Sequence, residues 1–219
     1  MISIERQKNL FLAIAKNLKK PIKVYAIGGT AMMFHGFKDS TVDIDLVFTS
    51  LEDKNAFKRA VIELGYKKLD ATKIYGLKDN APEMLSLGQE RFDLFVLEII
   101  DFIFSKEMQE RSEQAYQFLD NLILKIADVE DIILMKCATN RAKDREDILN
   151  IIKNRKVNWD ILKLEAKNQV KLGRERAVIE LGYLLEWLSN EGIVPKSITE
   201  DLYKFMKDQI ERKLGQQNK

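Results

Sequence analysis

The sequence predicts an α+β fold, with strands and helices mixed in its N-terminal part and helices alone in its C-terminal part. Three observations predict it. Short runs rich in β-branched and aromatic residues recur in the first part of the chain: "IKVYAI" at 22–27, "VDIDLVF" at 42–48, "RFDLFVLEI" at 91–99 and "NLILKIA" at 121–127. Stretches with helical spacing of apolar residues separate them. From Asp128 onward, helix follows helix with no strand-like run between. The chain therefore divides near residue 127 into residues 1–127, an α+β domain, and residues 128–219, a C-terminal helical domain.

Taken in order, residues 3–20 read as an amphipathic helix capped by Ser3, with Leu10, Phe11, Ile14 and Leu18 on one face and Pro21 as the stop. Strand 22–27 ends at Gly28-Gly29, a turn. Thr30 is placed as the cap of a short helix through Ala31, Met32 and Met33 toward His35. "KDST" at 38–41 reads as loop and leads into strand 42–48. A helix follows from Asp53 to Leu64, ended by Gly65. "YKKLD" and "KIYGL" are expected to pair as a hairpin, and Asn80 to Pro82 is a loop. After strand 91–99, "SKEMQERSEQAY" at 105–116 reads as helix. Helices are expected at 129–140, 144–154, 159–171, 174–190 and 197–213, with Asp128 and Asn158 as caps and Gly173, Gly192 and Pro195 as punctuation.

Composition narrows the function. Apolar residues make up 46% and charged residues 32%, a soluble globular balance. The single cysteine, Cys137, and single histidine, His35, leave no intrachain disulfide and no Cys/His zinc site. A Ser-His-Asp triad would have to use His35, which no nucleophile motif accompanies. The longest apolar run, Leu94 to Phe104, is broken by Glu98 and Asp101 and is too short to span a bilayer. With a charged, amphipathic start and no signal-peptide pattern, the expected compartment is the cytoplasm and no membrane partner is expected. Net charge is +2, with 14 basic and 10 acidic groups in residues 151–219, a mild bias toward an acidic partner.

The chemistry lies in "VDIDLVF". Side chains alternate along a strand, so Val42, Ile44, Leu46 and Phe48 share the core face, while Asp43 and Asp45 share the other. Two carboxylates on a half-buried strand repel each other and resent desolvation. Basic partners relieve that cost; so does a hard divalent cation, for which oxygen ligation suits Mg²⁺ or Mn²⁺. Alone, Asp-x-Asp is more often an ordinary exposed strand face, and Gly-Gly more often a tight turn. Side by side they describe an anion cradle next to an acidic metal site, a place for a metal-bound nucleoside triphosphate.

"GGTAMMFHGFKDSTVDIDLVF" resembles the signature of the nucleotidyltransferase superfamily with the polymerase-beta-like fold, in which a Gly-Gly or Gly-Ser turn precedes Asp-x-Asp on the next strand. The resemblance implies a mixed sheet with flanking helices followed by a C-terminal helical bundle. It also implies a third carboxylate from a later strand, which Asp93 in "RFDLFVL" fits; the plainer reading of Asp93 is a solvent-facing acid or a partner of Arg91. Asp43, Asp45 and Asp93 would then be the catalytic metal ligands, and Gly28, Gly29 and Thr30 would meet the nucleotide.

A second block, "DVEDIILMKCATNRAKDREDILNI" at 128–151, is similar to the Arg-x-Lys-Asp-x-x-Asp segment of AbiEii-like toxin nucleotidyltransferases. Lys136, Arg141, Lys143, Asp144 and Asp147 carry it, and it implies nucleotide contacts for the first four. On a continuous helix Lys136 and Lys143 would share a face, and Arg141 and Asp144 would pair; a salt-bridged helical surface is the plain alternative. Asp147 reads as structural, and Cys137 as core.

The resemblance implies nucleotidyl transfer to a hydroxyl acceptor, with RNA or tRNA as one candidate, a protein or a small molecule such as an aminoglycoside as others, and an antitoxin protein as a partner. A non-catalytic nucleotide-binding module and a purely structural partner protein are the competing readings. Lys163, Lys167 and Lys171 form a basic stripe at helical spacing, which fits an RNA track less well than a solvated face.

Overall fold

The computed structural model describes residues 1–76, 79–137 and 141–217. The chain opens with β1 (Ile2–Ser3) and α1 (Ile4–Asn17). The Ser3 hydroxyl caps α1 by accepting from the Arg6 N–H at 3.2 Å, and the predicted stripe of Leu10, Phe11 and Ile14 is buried. Then come β2 (Ile22–Ala26), α2 (Gly28–Phe34), β3 (Ser40–Thr41) and β4 (Asp43–Phe48). The "KDST" loop is therefore partly strand, because β3 pairs antiparallel with β1. That pairing lies outside the main sheet, so Val42 falls at the crossing and is exposed. The buried face of β4 begins at Ile44 and continues through Leu46 and Phe48.

α3 (Leu51–Glu63) starts two residues before the predicted position, since Ser50 is its cap, accepting from the Asp53 N–H at 3.1 Å. Gly65, at φ +94°, ends it as expected. β5 (Lys67–Leu69) does not form a hairpin with "KIYGL". Residues 73–75 belong to a short helix, α4 (Thr72–Tyr75), whose start is held by Asp70 accepting from the Thr72 N–H and hydroxyl; Leu77 lies outside the described residues. β5 pairs instead with β6 (Glu83–Leu87), a strand the periodicity did not reveal.

β7 (Glu90–Val96) is followed by the small strands β8 (Glu98–Ile99) and β9 (Phe102–Ile103), and by α5 (Lys106–Arg111), capped by Ser105. The helix expected over 105–116 stops early. Residues 115–118 form β10 (Ala115–Phe118), which returns antiparallel to β11 (Leu122–Ile126). Its alternation explains the change: Tyr116 packs on Phe34 with ring centroids 4.9 Å apart, and Phe118 on Phe11 at 5.5 Å.

The sheet runs β10-β11-β2-β4-β7-β6-β5, with β8 and β9 extending from β7. The β11–β2 and β4–β7 pairs are parallel and the others along the path are antiparallel, so the sheet is mixed, with helices flanking it. Phe57 of α3 sits 5.3 Å from Phe48 and 5.9 Å from Phe92, and Tyr66 sits 5.2 Å from Phe92. These contacts fix one face of β4 and β7 against α3. By alternation, Asp43, Asp45, Arg91 and Asp93 stand on the other.

The rest of the chain is helical: α6 (Val129–Cys137), α7 (Ala142–Asn154), α8 (Trp159–Lys171), α9 (Arg176–Asn190) and α10 (Lys196–Gln217). The predicted end of the first of these, 138–140, lies outside the described residues. Every residue of α6 is buried. It packs on α2 and on α7, α8 and α9, so the core runs without a break from the sheet into the C-terminal helices. The polar groups this burial traps are paired. Arg111 of α5 donates to Asp131 of α6 at 2.7 Å and to Glu165 of α8 at 2.5 Å, tying three helices together. Among the described residues no helix is long and apolar enough to cross a membrane.

Candidate active site

β4 and β7 run side by side in parallel, and their register sets Asp45 directly opposite Asp93 and Asp43 opposite Arg91. All four side chains share a face. Asp43, Asp45 and Asp93 each offer a carboxylate oxygen, and these oxygens lie within 4.8 Å of one another. Asp93 is wholly buried; Asp43 and Asp45 are half-buried.

Such a cluster is electrostatically costly. Burial, with Asp43 and then Asp93 adding repulsion, pushes the Asp45 carboxyl well above the ordinary range, while Lys136 and Arg91 pull it back. Asp93 is also raised by burial, against the hydrogen bonds it accepts from Tyr75 and Arg91. Arg91 is the local counter-charge. Its Nε donates to Oδ1 of Asp93 at 2.7 Å, and its Nη2 donates to Oδ2 of Asp93 at 3.1 Å and to Asp43. The Tyr75 hydroxyl donates to Oδ2 of Asp93 at 2.6 Å, and the Thr41 hydroxyl to Asp43 at 3.3 Å.

The glycine pair meets these acids from β2. The Ile27 N–H donates to the Asp45 carbonyl at 3.1 Å, which brings the start of α2 against β4. A Cβ on Gly28 would lie 2.7 Å from Oδ2 of Asp45, and one on Gly29 would lie 2.7 Å from the Thr41 hydroxyl oxygen. Gly28 also has φ +54°, so both space and backbone call for glycine there. The N–H groups of Gly28, Gly29 and Thr30 belong to the first turn, where no intrahelical carbonyl reaches them. Thr30 is not the helix cap. Ile27 holds that position without a side-chain bond, and the buried Thr30 hydroxyl accepts from the Asp45 N–H at 3.0 Å. Thr30 thus fixes the backbone that carries the acid.

The second sequence block comes to the same side of the molecule in a different form from a continuous helix. Arg141 has extended backbone and stands as the cap of α7, so Lys136 on α6 and Lys143 on α7 do not share one continuous helical face. Lys136 is buried, and its Nζ donates to Asp144 at 2.9 Å and to Asp147 at 2.7 Å. Burial pulls its pKa down, but the two aspartates outweigh that and hold the ammonium above its usual range. Arg141 pairs with Asp144 at 2.6 Å, as the spacing predicts, and Lys38 pairs with Asp147 at 3.0 Å. Lys143 is exposed. The network of Lys38, Lys136, Arg141, Asp144 and Asp147 carries one net positive charge, and through Lys136 and Arg141 its field reaches Asp45.

A cavity of about 320 Å³ adjoins this network, lined by Lys136, Arg141, Arg145, Tyr183 and Trp187 among others. A larger one of about 660 Å³ lies over β5 and β6 and includes none of the three acids, so size alone does not mark the site. Cys137 is buried in the core, and His35 ends α2 with its Nε2 2.9 Å from the Ala127 carbonyl oxygen. In the basic stripe, Lys163 pairs with Asp160 and Asp201, and the Lys167 ammonium lies 5.2 Å from the Phe205 ring centroid. Two of its three cations are thus committed within the helical packing.

Sequence reasoning missed Tyr75, which sits in a segment read as strand. Arg91, expected only as a partner of Asp93, also engages Asp43. The signal for Arg91 was present, since it stands two residues before Asp93 and must share its face.

A family model described as "Nucleotidyltransferase of unknown function (DUF6036)" matches residues 7–182. No curated protein matches the chain. Similar solved structures, at low identity, include the following two. One is ANT(2")-Ia in complex with adenylyl-2"-tobramycin, with 18% identity over 68% of this chain and 88% of that one and a TM-score of 0.45. The other is a "putative nucleotidyltransferase" from H. pylori, with 20% identity over 97% of this chain and 96% of that one and a TM-score of 0.43. The match over residues 7–182, which spans both motif blocks and all three clustered acids, shows that the chain belongs to the DUF6036 family of nucleotidyltransferases.

Proposed function

We propose that the protein moves a nucleoside monophosphate from a nucleoside triphosphate to a hydroxyl acceptor, in a reaction that depends on Mg²⁺ or Mn²⁺ held by Asp43, Asp45 and Asp93. The observation that carries this is the convergence of three carboxylates from two strands, with ligand oxygens within 4.8 Å of one another. The donor set fits such an ion, being all hard oxygen. The charge fits as well. With all three acids ionised, Arg91 leaves two negative charges uncompensated, which one divalent cation cancels.

Once bound, that cation would supply positive charge to the transferring phosphoryl group and to the entering and leaving oxygens. The chain's own residues do the rest. The first-turn amides of Gly28, Gly29 and Thr30 are offered to the phosphates, and the missing Cβ of Gly28 leaves the Asp45 carboxylate room beside that turn. Asp93 takes the proton of the acceptor hydroxyl. Asp144 holds both Lys136 and Arg141, so it orients two cations toward the phosphate side of the site. Arg91 would compete with an ion held by Asp43 and Asp93 for their oxygens, which leaves its guanidinium available to phosphate oxygens.

The acceptor we favour is an RNA or tRNA end. The likeness of the 128–151 block to AbiEii-like toxins supports it, and implies a toxin-like role in the cytoplasm with a cognate antitoxin protein. A second reading, a nucleotide-binding module without transfer, draws support from the double grip of Arg91, which offsets one of the three negative charges and engages both Asp43 and Asp93 without an ion. To separate them, the protein is incubated with Mg²⁺, each α-labelled triphosphate and total RNA. Labelled RNA is expected, absent in Asp45→Asn. Triphosphate binding without any labelled product would favour the second reading. Neither binding nor label would remove both.

A further inference from the structure

Tyr75 closes α4, and its hydroxyl donates a 2.6 Å hydrogen bond to Oδ2 of Asp93. Asp93 is the acid that, in the proposed reaction, receives the acceptor's proton. The place an acceptor hydroxyl must occupy is therefore filled by a hydroxyl of the chain itself. Asp93 is one of the three clustered acids, and the Gly28–Gly29 turn lies against another of them, Asp45. The ring is only half-buried, and it belongs to a single turn of helix rather than to the sheet. Gly76 follows it at φ +65° and ψ −143°, a conformation open mainly to glycine, which turns the chain sharply next to the ring.

We propose that Tyr75 is an acceptor in cis, so that the protein nucleotidylates itself. The proposal rests on the transferase reading above. The Tyr75 phenolic oxygen forms a bond to the α-phosphorus of the bound triphosphate. The bond from that phosphorus to the bridging oxygen breaks, and pyrophosphate leaves with the electron pair. The phenol proton passes to the Asp93 carboxylate. No further reactant is needed, and the product is a phosphodiester on Tyr75. The attached nucleotide then stands where a second acceptor would approach, so the modification closes the site to other acceptors.

The test uses the full chain with Mg²⁺ and each of the four α-labelled triphosphates, without any added acceptor and, in a second arm, with total RNA. Intact mass, peptide mapping, and binding of a non-transferable α,β-methylene analogue are measured in parallel. The expected result is a gain of one nucleoside monophosphate per chain, mapped to Tyr75 in the wild type. The gain should be lost in Tyr75→Phe and in Asp45→Asn, and kept in Tyr116→Phe. Label on any other residue overturns the proposal. So does an unlabelled chain that binds the analogue with Mg²⁺ or transfers to RNA, in particular if Tyr75→Phe transfers faster, since Tyr75 would then only cover the acid; the transferase reading survives that outcome. An unlabelled chain that neither binds the analogue nor transfers overturns both.

Discussion

Asp45 on β4 and Asp93 on β7 are register partners in a parallel strand pair, and that single pairing brings a third carboxylate to the Asp-x-Asp face. The strands need not tolerate this for stability. Burial and mutual repulsion raise the carboxyls of Asp45 and Asp93 above their ordinary range. The cluster is a cost on its own, which a bound cation would offset.

Asp45→Asn is therefore expected to lower nucleotidyl transfer by at least about 10²-fold, since it removes an electrostatic element of the reaction, while leaving the fold as stable or more so. The sign follows from the raised pKa. A carboxyl raised in the fold contributes its stability below the ordinary carboxylate range and loses it as pH rises through its folded pKa. Asn carries no such loss, so the advantage of the variant grows toward alkaline pH. Urea titrations at acid and alkaline pH, in chelator, measure it. A variant less stable than wild type at high pH contradicts the account.

Arg91→Met removes the guanidinium from the buried Asp93 and from Asp43. Breaking a buried pair by deleting one partner costs about 3–5 kcal/mol. The variant should melt earlier in chelator and recover much of the loss with Mn²⁺, more than wild type gains. Thermal melts with and without Mn²⁺ decide it; equal metal-induced shifts in the two proteins would show that Arg91 and the cation do not share the site.

Lys136→Met leaves each of its acids a second cation, Arg141 for Asp144 and Lys38 for Asp147. Its stability cost should therefore fall below that of Arg91→Met. Lys136 also pulls the Asp45 carboxyl down. Without it that pKa rises further, and the acid limb of the pH–rate profile moves to higher pH. A profile that loses height without moving would argue against this coupling.

Gly28→Ala places a Cβ against Oδ2 of Asp45 at a residue with φ +54°. Left-handed backbone costs a non-glycine residue roughly 1–2 kcal/mol. The carboxylate must also turn away, so transfer should fall more than stability does. Paired melting and rate measurements test this; proportionate losses would point to backbone strain alone.

Much of this was legible in the residues. The period-2 alternation of "VDIDLVF" set Asp43 and Asp45 on one face, Gly65 ended its helix, and the i,i+3 spacing paired Arg141 with Asp144. These are local relations, fixed by backbone geometry within a few residues. The third acid was reached through resemblance, because no local pattern tells which strand will lie beside β4. The "YKKLD"–"KIYGL" hairpin failed for a like reason. Strand pairing over long separations is decided by which apolar faces find each other, and β6 offered β5 a better edge than the segment that became α4.

Side-chain periodicity and backbone sterics set the strand faces, most caps and stops, and the acids available for chemistry, all of which can be read along the chain. Long-range packing sets Asp93 opposite Asp45, brings Arg91 and Tyr75 to it, and buries Lys136 between Asp144 and Asp147 rather than aligning it with Lys143. Those relations join residues up to dozens of positions apart, and only packing of the sheet and α6 into one core brings them within hydrogen-bonding range.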